Sequence, residues 1–288
     1  MPTHKQQFCG EFIGTFLLVF FGCGSVCAAV TTGAQVGIFQ VAIIWGLGIA
    51  TAIYLTGALS GAHLNPAVTL AIVVYRELPL KRLPLYWSAQ FLGAFAGAAV
   101  LYLCFSEAIT SYEKAHAIVR GGTGSEATAM VFGEYFPNPS GKALSEHVEP
   151  DISVARAFGV EFLGTAILLL VIFGITDDQN PERPRAIIGP AIGLTITMLI
   201  SLFGPLTMAC FNPARDFAPR LFSSWVGWGR VPFEANGCGW LIVYILAPFF
   251  GALFGGLIYT VFLKPCYRIE SASRTKAGDP LSSHLDGT

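Results

Sequence analysis

The sequence predicts an all-α membrane protein in which six membrane-crossing helices and two half-length helices form two inverted three-span repeats. Three observations predict it. The 288 residues are 53% hydrophobic and only 12% charged, about half the charge of an ordinary soluble chain. The charges fall in clusters, and the gaps between them match the thickness of a bilayer. The tripeptide Asn-Pro-Ala occurs twice, at 65–67 and 212–214, at corresponding places in two similar halves. A net charge of −1 with no basic stripe excludes a nucleic-acid partner, which needs positive charge to meet phosphate.

A bilayer core of about 30 Å takes roughly 20 helical residues. No Asp, Glu, Lys or Arg occurs from Phe12 to Tyr75. That stretch holds two crossings, at 8–30 and 38–58, and leaves about 20 residues over. Later gaps give crossings at 83–106, 157–176, 186–203 and 239–263. With six crossings both termini share one side. Lys5, Arg76, Lys81, Arg82, Arg183, Arg185, Lys264, Arg268, Arg274 and Lys276 fall on that side, against Arg215, Arg220 and Arg230 on the other. Lys and Arg favour the cytoplasmic face, so both termini are expected inside a plasma (inner) membrane. The first crossing is expected to be retained rather than cleaved as a leader, because its apolar run continues into a domain that needs it. The organisation is then a cytoplasmic 1–7, a first repeat 8–106, an external loop 107–156, a second repeat 157–263 and a polar, disordered cytoplasmic tail 264–288.

Seven cysteines is an odd number, and Cys9, Cys23, Cys27, Cys104 and Cys210 lie in or beside apolar segments, so no disulfide framework is implied. Cys23 and Cys27 are one helical turn apart without further ligands. No metal and no cofactor is expected. "GGTGSE" in the external loop lacks the Gly-Lys-Ser/Thr end of a phosphate loop.

The halves match at "GEFIGTFLL" (10–18) and "VEFLGTAIL" (160–168), and the Asn-Pro-Ala copies lie 147 residues apart. Each copy carries three crossings, so the second must enter from the opposite face. Such inverted repeats place solute sites at the midplane. Pro at a first helical position gives up only a donor that would be unpaired, and Asn before it is a favoured cap. Asn65-Pro66 and Asn212-Pro213 therefore start helices, at 66–75 and 213–222. Ten residues make about 15 Å of helix, half a bilayer. The extended segments before them, "SGAHL" and "TMACF", are tolerated in a membrane only where backbone lines water or is buried in protein. The interruption implies an aqueous path. Gly10 and Gly14, Gly93 and Gly97, and Gly251 and Gly255 suit close packing of the crossings.

"SGAHLNPAVT", "GPLT" and "NPARDF", with "TDD" at 176–178 and "IVRG" at 118–121, resemble the aquaporin family and most of all its glycerol-facilitator branch, over roughly residues 8–265. The resemblance implies an aquaporin-like fold, a homotetramer with one pore per chain, no enzymatic activity, and passive passage of water, glycerol and other small uncharged solutes. It also implies that the two Asn donors interrupt proton hopping. Physical chemistry agrees on ions: two helix N-termini meeting at the midplane carry about one positive charge, which opposes a cation at 4 Å by roughly 4 kcal/mol at an effective dielectric of about 20.

Asn65 and Asn212 are expected to donate to a passing oxygen, while carbonyls of Gly61, Ala62, His63, Met208, Ala209 and Cys210 accept in sequence, a ladder that replaces hydration stepwise. Pro66, Ala67, Pro213 and Ala214 complete the two motifs. The ring of His63 is not needed for this, and Cys210 places a thiol beside the path. An ionised side chain at membrane depth marks a substrate pathway. Arg215 is that side chain, and the resemblance makes it the outer constriction with Trp45; the competing reading makes it structural and neutralised by Asp216. Where glycerol facilitators carry a second aromatic, a Gly and a small residue, this chain has Ala209, Met208 and Ile200. The Trp-Ile-Ala-Arg set is similar to that of plant nodulin-like channels, which widens the expected solutes to urea, ammonia or metalloid hydroxides. Glu11 and Glu161 occupy equivalent repeat positions and are expected to brace the unwound loops. The alternative function is a coupled secondary transporter that uses Glu11 or Glu161 as a proton relay. The external loop is expected to cap the outer mouth.

Overall fold

The computed structural model describes residues 2–35, 37–76, 78–139 and 152–267. Among these described residues six helices are long and apolar enough to cross a membrane. They begin and end for local reasons. Helix α1 (His4–Thr32) starts at a reciprocal cap in which Thr3 Oγ1 accepts from Gln6 N while Gln6 Oε1 accepts from Thr3 N, satisfying two otherwise orphaned donors. It ends at Gly33, in the left-handed conformation that stops helices. Helix α2 (Ile38–Ser60) likewise ends at left-handed Gly61. The half-length α3 (Pro66–Tyr75) follows, then α4 (Leu83–Ala115), α5 (Val154–Thr176), α6 (Ile188–Thr207), the second half-length helix α7 (Pro213–Ser223) and α8 (Gly239–Tyr267). Residues 268–288, most of the predicted tail, lie outside the described residues.

The packing is that of two interlocked copies. Helix α1 lies against α4 as α5 lies against α8, and α2 crosses α6 between the copies. The half-helices are exchanged: α3 packs on α8 of the other repeat, and α7 on α4. Close approach at equivalent glycines makes this possible. A Cβ on Gly93 would sit 2.3 Å from the Phe12 carbonyl oxygen, and one on Gly251 would sit 2.2 Å from that of Phe162. Neither backbone has room to retreat. Gly251→Ala is therefore expected to destabilise the protein by about 1–3 kcal/mol, while Gly57→Ala on α2, with no atom within 4 Å of the new methyl, is expected to be neutral or slightly stabilising. Thermal unfolding in detergent checks both.

The helical end of the third crossing differs from expectation. Helix α4 runs to Ala115 rather than stopping near 106, because charges end an apolar run without ending a helix. Glu113 near its tip pairs with Arg120 of the "IVRG" stretch at 2.7 Å and accepts from Thr128 Oγ1 at 2.8 Å. The Arg120 guanidinium also lies 4.4 Å from the Trp228 ring. This cluster folds the external loop back onto the bundle.

The loop after α4 does more than cover one end of the bundle. Val131, Phe132, Glu134 and Tyr135 are at most 2% exposed, so the segment descends among the helix ends. Asn138 Nδ2 donates to the Gly204 carbonyl, and Phe136 and Asn236 exchange two hydrogen bonds. These bonds satisfy backbone that could not otherwise be buried.

Candidate functional site

Each half-helix is started by the residues that start it in the sequence. Asn65 Oδ1 accepts from Ala67 N at 2.8 Å, and Asn212 Oδ1 accepts from Ala214 N at 3.1 Å and Arg215 N at 3.3 Å. Pro66 and Pro213 occupy the first helical positions. The remaining amide groups cross between the repeats: Asn65 Nδ2 donates to the Phe211 carbonyl at 2.8 Å, and Asn212 Nδ2 donates to the Leu64 carbonyl at 2.9 Å. This exchange ties the two helix N-termini together. An amide carries two N–H donors, so one on each Asn is not used by the exchange.

The loops before the caps have the same backbone trace. Gly61, Ala62 and Leu64 have φ of 86°, 49° and 55°, and their counterparts Met208, Ala209 and Phe211 have 63°, 60° and 54°. Left-handed backbone is unfavourable for residues with a side chain by roughly 1–2 kcal/mol each. Two buried carboxylates hold it. Glu11 accepts from His63 N at 2.9 Å and Leu64 N at 2.7 Å; Glu161 accepts from Cys210 N at 3.0 Å and Phe211 N at 2.8 Å. Gln90 donates to Glu11, and the Thr207 hydroxyl donates to Glu161. Both carboxylates are fully buried, and neither lines the cavity that runs through the chain.

That cavity, about 300 Å³ in volume, extends from Arg215 and Glu134 at one end to Arg76 and Thr176 at the other. It brings together Trp45, Gly61, Ala62, His63, Asn65, Ile200, Met208, Ala209, Cys210, Asn212 and Arg215. Pro66, Ala67, Pro213 and Ala214 sit behind that wall as buried helix starts. Aliphatic side chains such as Ile49, Val68, Leu168 and Ile192 make up much of the rest of the lining. His63 turns its ring to Tyr86 (4.7 Å between centroids) and its Nδ1 to Thr69 Oγ1 (3.3 Å). The Cys210 thiol donates to the Asn212 carbonyl.

At the Glu134 end of the cavity the Arg215 guanidinium lies 4.3 Å from the Trp45 ring centroid. It donates to the Phe132 carbonyl at 3.0 Å and pairs with Glu134 Oε1 at 2.5 Å. Asp216 is not its counter-ion, contrary to the competing reading. Asp216 instead accepts from Arg220 at 2.8 and 2.9 Å and from Glu134 N at 2.7 Å. A short helical pitch explains the difference: Arg220 lies four residues on, one turn along the same face, whereas Arg215 points into the cavity. Arg220 also donates to the Glu134 and Pro232 carbonyls. Asp216 and Arg220 therefore hold the backbone of Glu134, whose carboxylate holds Arg215. Met208 joins the same assembly, since Tyr135 N donates to its Sδ at 3.3 Å. Phe132 and Glu134 were not singled out by sequence reading.

Next to Thr176, at the Arg76 end, the Tyr259 hydroxyl donates to Asp177 at 2.6 Å. Burial alone would raise this carboxyl, but the hydroxyl and the Gln179 N–H bring it below the ordinary aspartate value. A depressed native pKa contributes stability above the unfolded value of about 3.9 and loses it as pH falls through the native one. Tyr259→Phe is expected to cost about 1–2 kcal/mol at pH 7, a difference from wild type that shrinks below about pH 4. Unfolding curves across that window check it.

A family model described as major intrinsic protein matches residues 1–259. The chain is 42% identical to a glycerol uptake facilitator protein of Pseudomonas aeruginosa, over 97% of this chain and 95% of the relative. It is 40% identical to a propanediol uptake facilitator of Salmonella typhimurium, over 92% and 98%. The X-ray structure of the aquaglyceroporin from Plasmodium falciparum superposes with a TM-score of 0.77 at 28% identity, covering 93% of this chain and 100% of that one. With paired half-helices, an inverted repeat and relatives matching nearly end to end, this multi-pass membrane chain belongs to the major intrinsic protein family.

Proposed function

We propose that the chain is a passive channel for glycerol and other small uncharged solutes, together with water, and that it excludes ions and protons. The observation that carries this reading is the crosswise Asn65–Phe211 and Asn212–Leu64 bonding beside a cavity lined by both polar groups and aliphatic side chains. A polyol has the matching faces: its hydroxyls exchange water for Asn N–H groups and loop carbonyls, and its CH groups lie against isoleucine, valine and leucine. A cation meets the positive ends of two helices and the Arg215 guanidinium instead. Trp45, Ile200, Met208, Ala209 and Arg215 form the narrow outer filter in this reading. Ala209 leaves it one aromatic wall, which favours a range that includes urea, ammonia or metalloid hydroxides. The names of the relatives, which concern glycerol and propanediol uptake, agree in chemistry.

The same reading places the chain in a plasma membrane with cytoplasmic termini, surrounded by lipid and assembled as a homotetramer. A coupled transporter is not favoured, since Glu11 and Glu161 are occupied by loop N–H donors and lie off the cavity. Stopped-flow light scattering of proteoliposomes tests the channel. Under a glycerol gradient, reswelling much faster than in empty liposomes, with weak temperature dependence and no pH-gradient dependence, is the expected result. Saturable, pH-driven uptake would favour the transporter and sink the channel.

A further inference from the structure

Arg76 follows the last residue of α3 and lines the inner end of the cavity with Thr176. Its guanidinium is fixed from one side. Nη1 donates to Thr176 Oγ1 at 3.0 Å, Nη2 donates to the Phe173 carbonyl at 2.8 Å, and Cζ stands 4.3 Å from the Phe173 ring centroid. Phe173 and Thr176 lie in the last turn of α5, where carbonyls have no partner within the helix. The cap therefore fixes a cation that would otherwise be mobile. Arg215 is restrained in the same manner at the outer end, by the Phe132 carbonyl at 3.0 Å and the Trp45 ring at 4.3 Å.

A guanidinium has five N–H donors, and the bonds among the described residues use two of them at Arg76. Toward Arg76 the lining includes Gly61, Ala62 and His63, whose carbonyls are the acceptors of the channel reading, and aliphatic side chains such as Ile53 and Ile188. In such surroundings a hydroxyl can donate, yet its own oxygen goes unsatisfied, which is costly away from water. A fixed donor at the inner end removes that cost at the step between the narrow path and bulk water.

We propose that Arg76 contacts the permeating solute and serves as the hydrogen-bond donor of the inner mouth, the counterpart of Arg215 at the outer one. The proposal rests on the channel reading. It makes Arg76 a specificity-determining residue for solutes that carry hydroxyl or carbonyl oxygens.

Reconstituted wild type, Arg76→Leu, Arg76→Lys and Thr176→Val should be compared for water and glycerol permeability in the same vesicles. Arg76→Leu is expected to lower glycerol permeability about tenfold, the scale of one charge-assisted hydrogen bond, with water permeability within about twofold because a single water is easily re-partnered. Arg76→Lys should fall between, since an ammonium donates without the planar fork. Thr176→Val, which removes one anchor of the guanidinium, should lower the glycerol-to-water ratio in the same direction as Arg76→Leu and by less. A purely structural cap would lower water and glycerol together, and that parallel loss would overturn the proposal, as would an unchanged glycerol-to-water ratio. If Arg76→Leu does not reconstitute, the ratio for Arg76→Lys decides. Absence of glycerol flux in wild type would instead indict the channel reading itself.

Discussion

Glu161→Leu is expected to lower the stability of the protein by several kcal/mol and to stop solute flux. The substitution leaves Cys210 N, Phe211 N and the Thr207 hydroxyl without their acceptor, and each stranded buried donor costs about 1–3 kcal/mol. Removing a fully buried carboxylate relieves its desolvation, which offsets part of that loss. The loop it held contains Met208, Ala209 and Phe211 in left-handed backbone, a conformation that persists only where the surroundings impose it. Once released, these residues are free to relax toward ordinary backbone, and the lining that Met208, Ala209 and Phe211 give the cavity changes with them. Glu161→Gln keeps one acceptor oxygen and should retain part of both properties. Thermal unfolding in detergent and glycerol reswelling together test this: wild-type values of both for Glu161→Leu would show that the carboxylate does not hold the loop.

The same symmetry explains what could be read from the sequence. Glu11 and Glu161 were legible because a buried charge at equal positions in two repeats asks for one shared explanation, and capping chemistry at Asn65-Pro66 and Asn212-Pro213 is local. Six apolar runs and the charge gaps between them likewise made the crossings visible. The end of α4 was not, because Glu107, Glu113 and Lys114 break the apolar run while the backbone continues as helix on the strength of contacts that are distant in sequence, Glu113 with Arg120 and Thr128. Glu134 was hidden for a related reason. It lies in a polar loop with no counterpart in the first repeat, no periodicity and no motif, and its partner Arg215 is 81 residues away. Arg76 was legible only as a charge that orients the chain; its place beside the cavity depends on how α3 meets α5. Met208 shows the limit of reasoning by position. A left-handed residue there asks for glycine, yet a bond from Tyr135 N to its sulfur gives the larger side chain a use.

Glu134→Leu is expected to be the most damaging change in the external loop. Arg215 is buried, and without Glu134 its charge keeps the Phe132 carbonyl, the face of Trp45 and the neighbouring Cys23 thiol, none of which is an anion. Breaking a buried ion pair by removing one partner costs about 3–5 kcal/mol, because the survivor is left uncompensated. The guanidinium also loses the contact that draws it toward the loop, so it is expected to swing across the cavity and to reduce glycerol permeability by at least about tenfold, the effect of roughly 1.4 kcal/mol on the barrier. Replacing both residues tests the coupling. Glu134→Leu/Arg215→Leu should be more stable than Glu134→Leu alone, with an interaction energy of about 1–3 kcal/mol in the double-mutant cycle. It should also conduct again, with cations still opposed by the helix ends, because the pair leaves with both of its charges. Asp216→Asn offers an independent approach to the same pair: it weakens the acceptor that fixes Glu134 N and Arg220 while leaving the carboxylate of Glu134 intact, so its effect on permeability should be smaller than that of Glu134→Leu and in the same direction. Strict additivity in the cycle, with no recovery of conduction in the double variant, would mean that Glu134 and Arg215 act separately and that the loop is only a cover.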